Sequence, residues 1–232
     1  MPNSKSRKAR GSTAHPKGGF FLLIEGADGS GKTTLARRLV SALKREGFKV
    51  CAVREPGGTK FSEKVRRLLI DAQGAMNARA ELFLFLAARA QLVEEVIRPA
   101  LDRGMIVVAD RFSLSTLAYQ SGGRGLPLAD VAKADALARA GIGPDLTVVL
   151  RVTEKQASER LKKVGRSRDR IEQESRPFHD RVRRFYDRWA KGRHAHILID
   201  SAIGPDMVYQ KVHAEVGKRL KPRGPRRRNT SL

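Results

Sequence analysis

The chain has 232 residues and one cysteine, Cys51, so an intrachain disulfide is excluded. Aromatic residues make up 6% of it, few for the stacking platforms that hold single-stranded nucleic acid. No apolar run approaches the ~20 residues of a membrane span. The basic, hydroxyl-rich N-terminal stretch lacks both the apolar core of a secretory signal and the amphipathic face of a transit peptide. The five histidines, at 15, 179, 194, 196 and 213, form no cluster with metal-ligand spacing. A cytoplasmic, soluble protein is the expectation. Acid is also scarce: 24 Asp and Glu stand against 47 Lys and Arg, a net charge of +23.

That excess is concentrated at the ends. Residues 1–18 hold five Lys or Arg and no acid, and residues 218–232 hold seven and no acid. Such Pro-, Gly- and Ser-containing stretches bury too little to fold and read as disordered tails, 1–18 and 220–232. They favour at most loose, salt-sensitive contact with nucleic acid or an anionic surface, and a plain solvated tail is the preferred reading.

Between the tails, five short apolar runs alternate with longer amphipathic segments. Gly19–Glu25, Lys49–Glu55, Met105–Asp110, Asp145–Val152 and His194–Asp200 read as strands. Their nearly continuous apolar character suits a parallel sheet covered on both faces, and Cys51 is expected to be buried there. Helices are expected over Lys32–Glu46, Phe61–Asp71, Arg79–Asp102, Leu128–Ala140, Glu154–Lys163, Ser175–Lys191 and Pro205–Leu220. The alternation predicts an α/β domain with a doubly wound, five-stranded parallel sheet over 19–219. Ligands of such folds bind at the carboxyl ends of the strands.

The segment after the first strand, "GADGSGKT", satisfies the phosphate-loop pattern G-x-x-x-x-G-K-[ST]. It comprises Gly26, Ala27, Asp28, Gly29, Ser30, Gly31, Lys32 and Thr33. The glycines let backbone N–H groups face a phosphate chain, Lys32 reaches its outer phosphates and Thr33 can hold Mg²⁺. ATP or GTP binding follows. "ADRF" closes the third strand, with Asp110 placed to support the metal and Arg111 to clamp an anion. "REPGGT" after the second strand enforces a turn that either lines a pocket or is simply a turn. Phe85 and Arg89, spaced i, i+4 in "LFLFLAARAQ", share a helix face and can sandwich a base, although Phe at helical spacing is more often core.

In order and spacing, "EGADGSGKTT", "REPGGT", "LFLFLAARAQLVEEVIRPAL", "ADRFSLSTLAYQSGGRGL", "PDLTVVLRV" and "DRIEQES" together resemble a thymidylate kinase of the bacterial kind, over about residues 19–219. The resemblance implies the architecture of the P-loop nucleoside monophosphate kinases, with a lid at about 162–174. It implies transfer of the ATP γ-phosphate to dTMP, with Mg²⁺ as cofactor, by a homodimer. By the same resemblance Phe85 stacks on thymine and Arg89 bonds its O4. Arg111 holds the acceptor phosphate, with Arg66 beside it, and Asp28 contacts the deoxyribose 3′-hydroxyl. Tyr119 fills the place of a ribose 2′-hydroxyl, and Ser115 and Thr116 line the base edge. For the dimer, Leu82–Leu86 and Leu114–Ala118 are candidate contributors.

One branch of this family carries an arginine in the phosphate loop, at the position of Gly29 here; the other supplies arginine from the lid. With no cation between Gly26 and Lys32, this chain resembles the second branch. The resemblance thereby gives the basic run "KKVGRSRDRIEQES" a catalytic part. Arg166 and Arg168 are the candidates to close on ATP, while Lys162 and Lys163 end the preceding helix and Arg170 belongs to the matching block. The rival readings are a related kinase with a shifted acceptor such as dUMP, and a P-loop ATPase acting on nucleic acid.

Overall fold

The computed structural model describes residues 18–71, 75–163, 169–190 and 196–220. Most of both basic tails, and Arg166 and Arg168 of the expected lid, lie outside the described residues.

Five parallel strands form one sheet: β1 (Phe20–Gly26), β2 (Val50–Arg54), β3 (Ile106–Asp110), β4 (Leu146–Arg151) and β5 (His196–Asp200), in the order β2-β3-β1-β4-β5. The expected architecture is borne out. β1 is central and paired on both sides, which is why "FFLLIEG" is buried through six of its seven positions. The edge strands depart from continuous burial. Leu198 of β5 is exposed, and Cys51 of β2 is only half-buried, contrary to the expectation of a buried cysteine. An edge strand has one flank without a neighbour, so its side chains are less completely covered.

Helices α1 (Lys32–Arg45) and α9 (Pro205–Arg219) cover one face of the sheet. Leu35, Leu39, Ala42 and Leu43 make the apolar stripe of α1, and Val208, Val212 and Val216 that of α9. Helices α2 (Lys60–Asp71), α3 (Ala78–Leu92) and α4 (Arg98–Asp102) lie toward the other face, with the π-helical turn Val93–Ile97 between α3 and α4. The sequence predicts one unbroken helix here. Pro99 has no N–H for the carbonyl of Glu95 and its ring crowds that oxygen, so the preceding turn widens.

A short helix α5 (Ser113–Thr116) and a second π-helical stretch, Leu117–Gly123, follow β3, and α6 (Leu128–Arg139), α7 (Glu154–Lys163) and α8 (Arg176–Trp189) complete the fold. α8 packs close to the second π stretch. A Cβ on Gly123 would stand 2.4 Å from the Phe178 ring, so only glycine admits that approach. Trp189 packs beside this cluster and stacks on His196 at 3.9 Å.

α9 ends at Arg219, one residue before the expected helix end; Lys218 and Arg219 in its last turn pair with Glu215, and Leu220 packs against the core. Among the described residues no helix is long and apolar enough to cross a membrane.

The strand order reverses at β1: its neighbours are β3 on one side and β4 on the other. The carboxyl ends of β1, β2 and β3 therefore open one crevice, where a doubly wound sheet places its ligands.

Candidate active site

The loop after β1 is shaped by backbone that only glycine tolerates easily. Gly26, Gly29 and Gly31 have φ of 140°, 74° and 96°. A Cβ on Gly26 would lie 2.4 Å from the Leu150 carbonyl oxygen, and one on Gly29 would lie 2.8 Å from Ala157 backbone atoms in α7. The Gly29 position therefore has no room for an arginine, in accord with the absence of a loop cation in the sequence. Ser30 Oγ is buried and has no hydrogen-bond partner among the described residues. An orphaned hydroxyl inside a glycine-shaped loop at a helix N-terminus fits a phosphate chain.

Lys32 is 7% exposed and donates from Nζ to the Ala27 carbonyl at 2.9 Å. Burial pushes its pKa down to about 8, and the positive Arg111 adds to the fall against the pull of Asp28, Asp110 and Glu25. Thr33 Oγ1 donates to Asp110 Oδ2 at 2.6 Å. A hydroxyl and a carboxylate touching beside the loop are hard oxygen donors that suit Mg²⁺.

Arg111 crosses from the end of β3 with φ of 75°, the left-handed region that side chains rarely occupy. The kink is held from several sides. Its N–H donates to the Ile24 carbonyl at 3.1 Å. Its guanidinium forms an ion pair with Asp28 and donates to the Gly26 carbonyl at 3.2 Å and Ser115 Oγ at 3.0 Å. Tyr119 donates its hydroxyl to the second Asp28 oxygen at 2.7 Å. Burial alone would raise the Asp28 pKa, but Arg111, Lys32 and this hydrogen bond together hold it below the usual carboxylate value.

Behind Arg111 sits the first residue of "EGADGSGKTT", to which the sequence reading gives no role. Glu25, fully buried in β1, accepts from the backbone N–H groups of Phe112 at 2.9 Å and Ser115 at 3.1 Å. Its other oxygen accepts from Ser115 Oγ at 2.7 Å and Tyr186 at 2.9 Å. Burial raises its pKa despite Arg111 and these donors. Ser115 is thus turned toward Glu25 and Arg111. The one hint in the sequence is an acid at the end of an otherwise apolar strand.

At the far end of the crevice, Phe85 of α3 is half-buried and lines the opening with Arg66, whose Nη1 donates to the Pro56 carbonyl at 3.0 Å. Arg89, 2% exposed, pairs with Glu55 of the "REPGGT" turn, with Asp135 of α6 at 2.5 Å and with Thr116 Oγ1 at 2.8 Å. Its guanidinium also lies 4.9 Å from the Phe112 ring centre. Glu55, although inside "REPGGT", and Asp135 have no role in the sequence expectations, because an acid in a turn or on a helix reads as solvated.

The segment expected to close the lid is anchored from residue 169 onward, where it is described. Arg170 donates to the Leu69 carbonyl at 3.0 Å and pairs with the buried Glu81 at 2.6 Å. Arg124 joins Glu81 to Glu174. Before the expected lid, Arg160 of α7, also unmarked by motif, donates to the Gly29 carbonyl at 3.2 Å and to Ser201 Oγ at 2.9 Å. It braces the phosphate loop against the turn after β5.

These elements enclose a cleft of about 1350 Å³, reaching from Lys32 and Thr33 past Arg111 to Phe85. Pockets for a single drug-sized ligand measure roughly 300–1,000 Å³, so this one has room for two.

A family model described as thymidylate kinase matches residues 24–216. The thymidylate kinase of Thermosipho africanus is 43% identical over 201 residues, covering 87% of this chain and 99% of its own. That of Halothermothrix orenii is 40% identical over 205 residues, covering 88% and 97%. The crystal structure of thymidylate kinase from Ehrlichia chaffeensis superposes with a TM-score of 0.67 at 34% identity, covering 88% of this chain and 99% of that one.

Because the folded Lys32 binds its proton more weakly than an exposed lysine does, its buried charge destabilises the fold below pH 8. That penalty is relieved as the pH rises from about 8 toward the unfolded value of 10.5, since the unfolded chain then binds more protons. Lys32→Met is expected to raise the denaturation midpoint at pH 7 while lowering kcat at least about 100-fold. Paired chemical denaturation and steady-state assays check this; a destabilised variant contradicts it.

Proposed function

The chain belongs to the thymidylate kinase family, and from that membership we propose how its residues move the ATP γ-phosphoryl group to dTMP, giving dTDP and ADP. The bond from the γ-phosphorus to the β–γ bridging oxygen breaks, and its electron pair leaves with ADP. A new bond forms to an oxygen of the dTMP phosphate. That oxygen is already anionic, so no strong general base is needed. The barrier lies in bringing two polyanions together, and alignment and neutralisation lower it.

Lys32 and the N–H groups of the loop hold the donor phosphates, and Ser30 offers its free hydroxyl. Thr33 and Asp110 would hold Mg²⁺, which when bound supplies further neutralisation of the donor chain. Arg111 receives the acceptor phosphate, with Arg66 supporting it. Asp28 takes the 3′-hydroxyl, and Tyr119 occupies the space of a 2′-hydroxyl. Phe85 stacks on thymine, and Arg89 meets O4. Ser115 acts through Arg111 and Thr116 through Arg89. Arg166 and Arg168 close from the lid onto ATP. The observation that carries this reading is the junction of Asp28, Arg111 and Tyr119 beside Lys32, in a cleft with room for two nucleotides.

The acceptor panel tests it. With ATP and Mg²⁺, dTMP is expected to give the highest kcat/KM, ahead of dUMP by the ~1–3 kcal/mol that one methyl group is worth. dCMP and dGMP are expected to trail further. A purine preference would sink the assignment.

The lid reading has its own check. Replacing Arg166 and Arg168 together by Ala is expected to lower kcat about 10³-fold, as loss of an arginine finger does, with little change in dTMP affinity. An intact kcat in the double variant would remove the lid from catalysis.

The assembly we favour is a homodimer through α2 and α3 in the cytoplasm. Phe61, Leu68 and Phe83 are 45%, 59% and 62% exposed on these helices, more apolar surface than a solvated face needs. Phe83→Asp is expected to shift the mass in sedimentation from dimer to monomer; an unchanged mass places the interface elsewhere.

A further inference from the structure

Arg89 has five N–H donors, and the surrounding protein uses most of them. Nε and one Nη2 proton go to Glu55, with Nε 3.1 and 2.9 Å from its two oxygens. Nη1 spends both protons, one on Thr116 Oγ1 at 2.8 Å and one on Asp135 Oδ1 at 2.5 Å. One Nη2 proton is left without a partner among the described residues, on a guanidinium that lines the cleft. Glu55 and Thr116 line the cleft as well, whereas Asp135 does not. It reaches Arg89 from behind, out of α6, 46 residues along the chain. Its second oxygen is held 3.3 Å from Arg139 Nε one turn on, so the carboxylate is itself fixed.

We infer that Asp135 is a specificity-positioning residue, which pins the Arg89 guanidinium so that a single N–H donor meets the pyrimidine 4-position. The inference rests on the reading that Arg89 faces the acceptor base. A 4-oxo group accepts that N–H. A 4-amino group has no lone pair for it and leaves a buried donor unsatisfied, the arrangement that discriminates most strongly between analogues. Without Asp135, Nη1 loses one of its two partners and the plane can pivot about the Glu55 pair. The donor is then no longer held at one angle, and rejection of the 4-amino base weakens.

The test is the ratio of kcat/KM for dTMP to that for dCMP. Misfolding lowers the active fraction equally for both acceptors and leaves the ratio alone, so a merely structural role cannot move it. Asp135→Ala is expected to cut the ratio about ten-fold, the worth of one hydrogen bond to a charged group, and to raise the dTMP KM while the KM for ATP stays put. Asp135→Asn, which keeps an acceptor oxygen, is expected to restore most of the ratio. Arg89→Ala separates the two layers of argument. If it leaves the ratio intact, Arg89 does not face the base and both readings fall. If it collapses the ratio while Asp135→Ala does not, the base site stands and the role of Asp135 is overturned.

Discussion

Buried positive charge, held ready by buried negative charge, is the constraint on which this cleft is built. A kinase that joins two polyanions needs cations in a dry site, yet an unpaired cation there is costly before the substrates arrive. The chain meets this by standing a carboxylate behind the cations it buries. Asp28 pairs with Arg111, Glu55 and Asp135 with Arg89, and Glu81 with Arg124 and Arg170. Each pair joins separate elements, so the same contacts that neutralise charge also fix how strands, helices and loops sit around the opening. Lys32 is the exception. Among the described residues its one hydrogen-bond partner is a carbonyl, and burial leaves its proton loosely held.

Much of this was legible in the sequence, for a definite reason. The phosphate loop needs glycine at fixed offsets because backbone crowding forbids other residues there, and that constraint leaves a pattern. The parallel sheet is legible because strands covered on both faces become continuous apolar runs. Phe85 and Arg89 needed more than periodicity: a phenylalanine at helical spacing looks like core, and only the neighbouring motifs tip the reading. The supporting acids left no trace of their role, even Glu25 and Glu55, which lie inside the motifs. Glu25, Glu55, Glu81 and Asp135 acquire meaning only from residues 34 to 161 positions away that fold onto them. Asp135 in "ADALAR" reads as an ordinary polar helix position until Arg89 is placed beneath it.

The segment after β3 shows the same limit in backbone form. Residues 113–123 carry no clean helical period, because part of the stretch is α-helical and part π-helical. Change of period within eleven residues erases the signal that either alone would give. This is also the stretch that carries Ser115, Thr116 and Tyr119 to the cleft beside Arg111.

The tight seat of Gly29 against Ala157 bears on how such an enzyme can change over evolutionary time. An arginine in place of Gly29 is a single substitution on paper. Here it cannot be made alone. Any side chain at 29 drives into the backbone of α7, the helix that carries Arg160. A lineage acquiring a cation at this point of the loop must shift that helix in concert, and with it the brace that Arg160 makes to the turn after β5. The charge of the loop is thus set by packing as much as by chemistry.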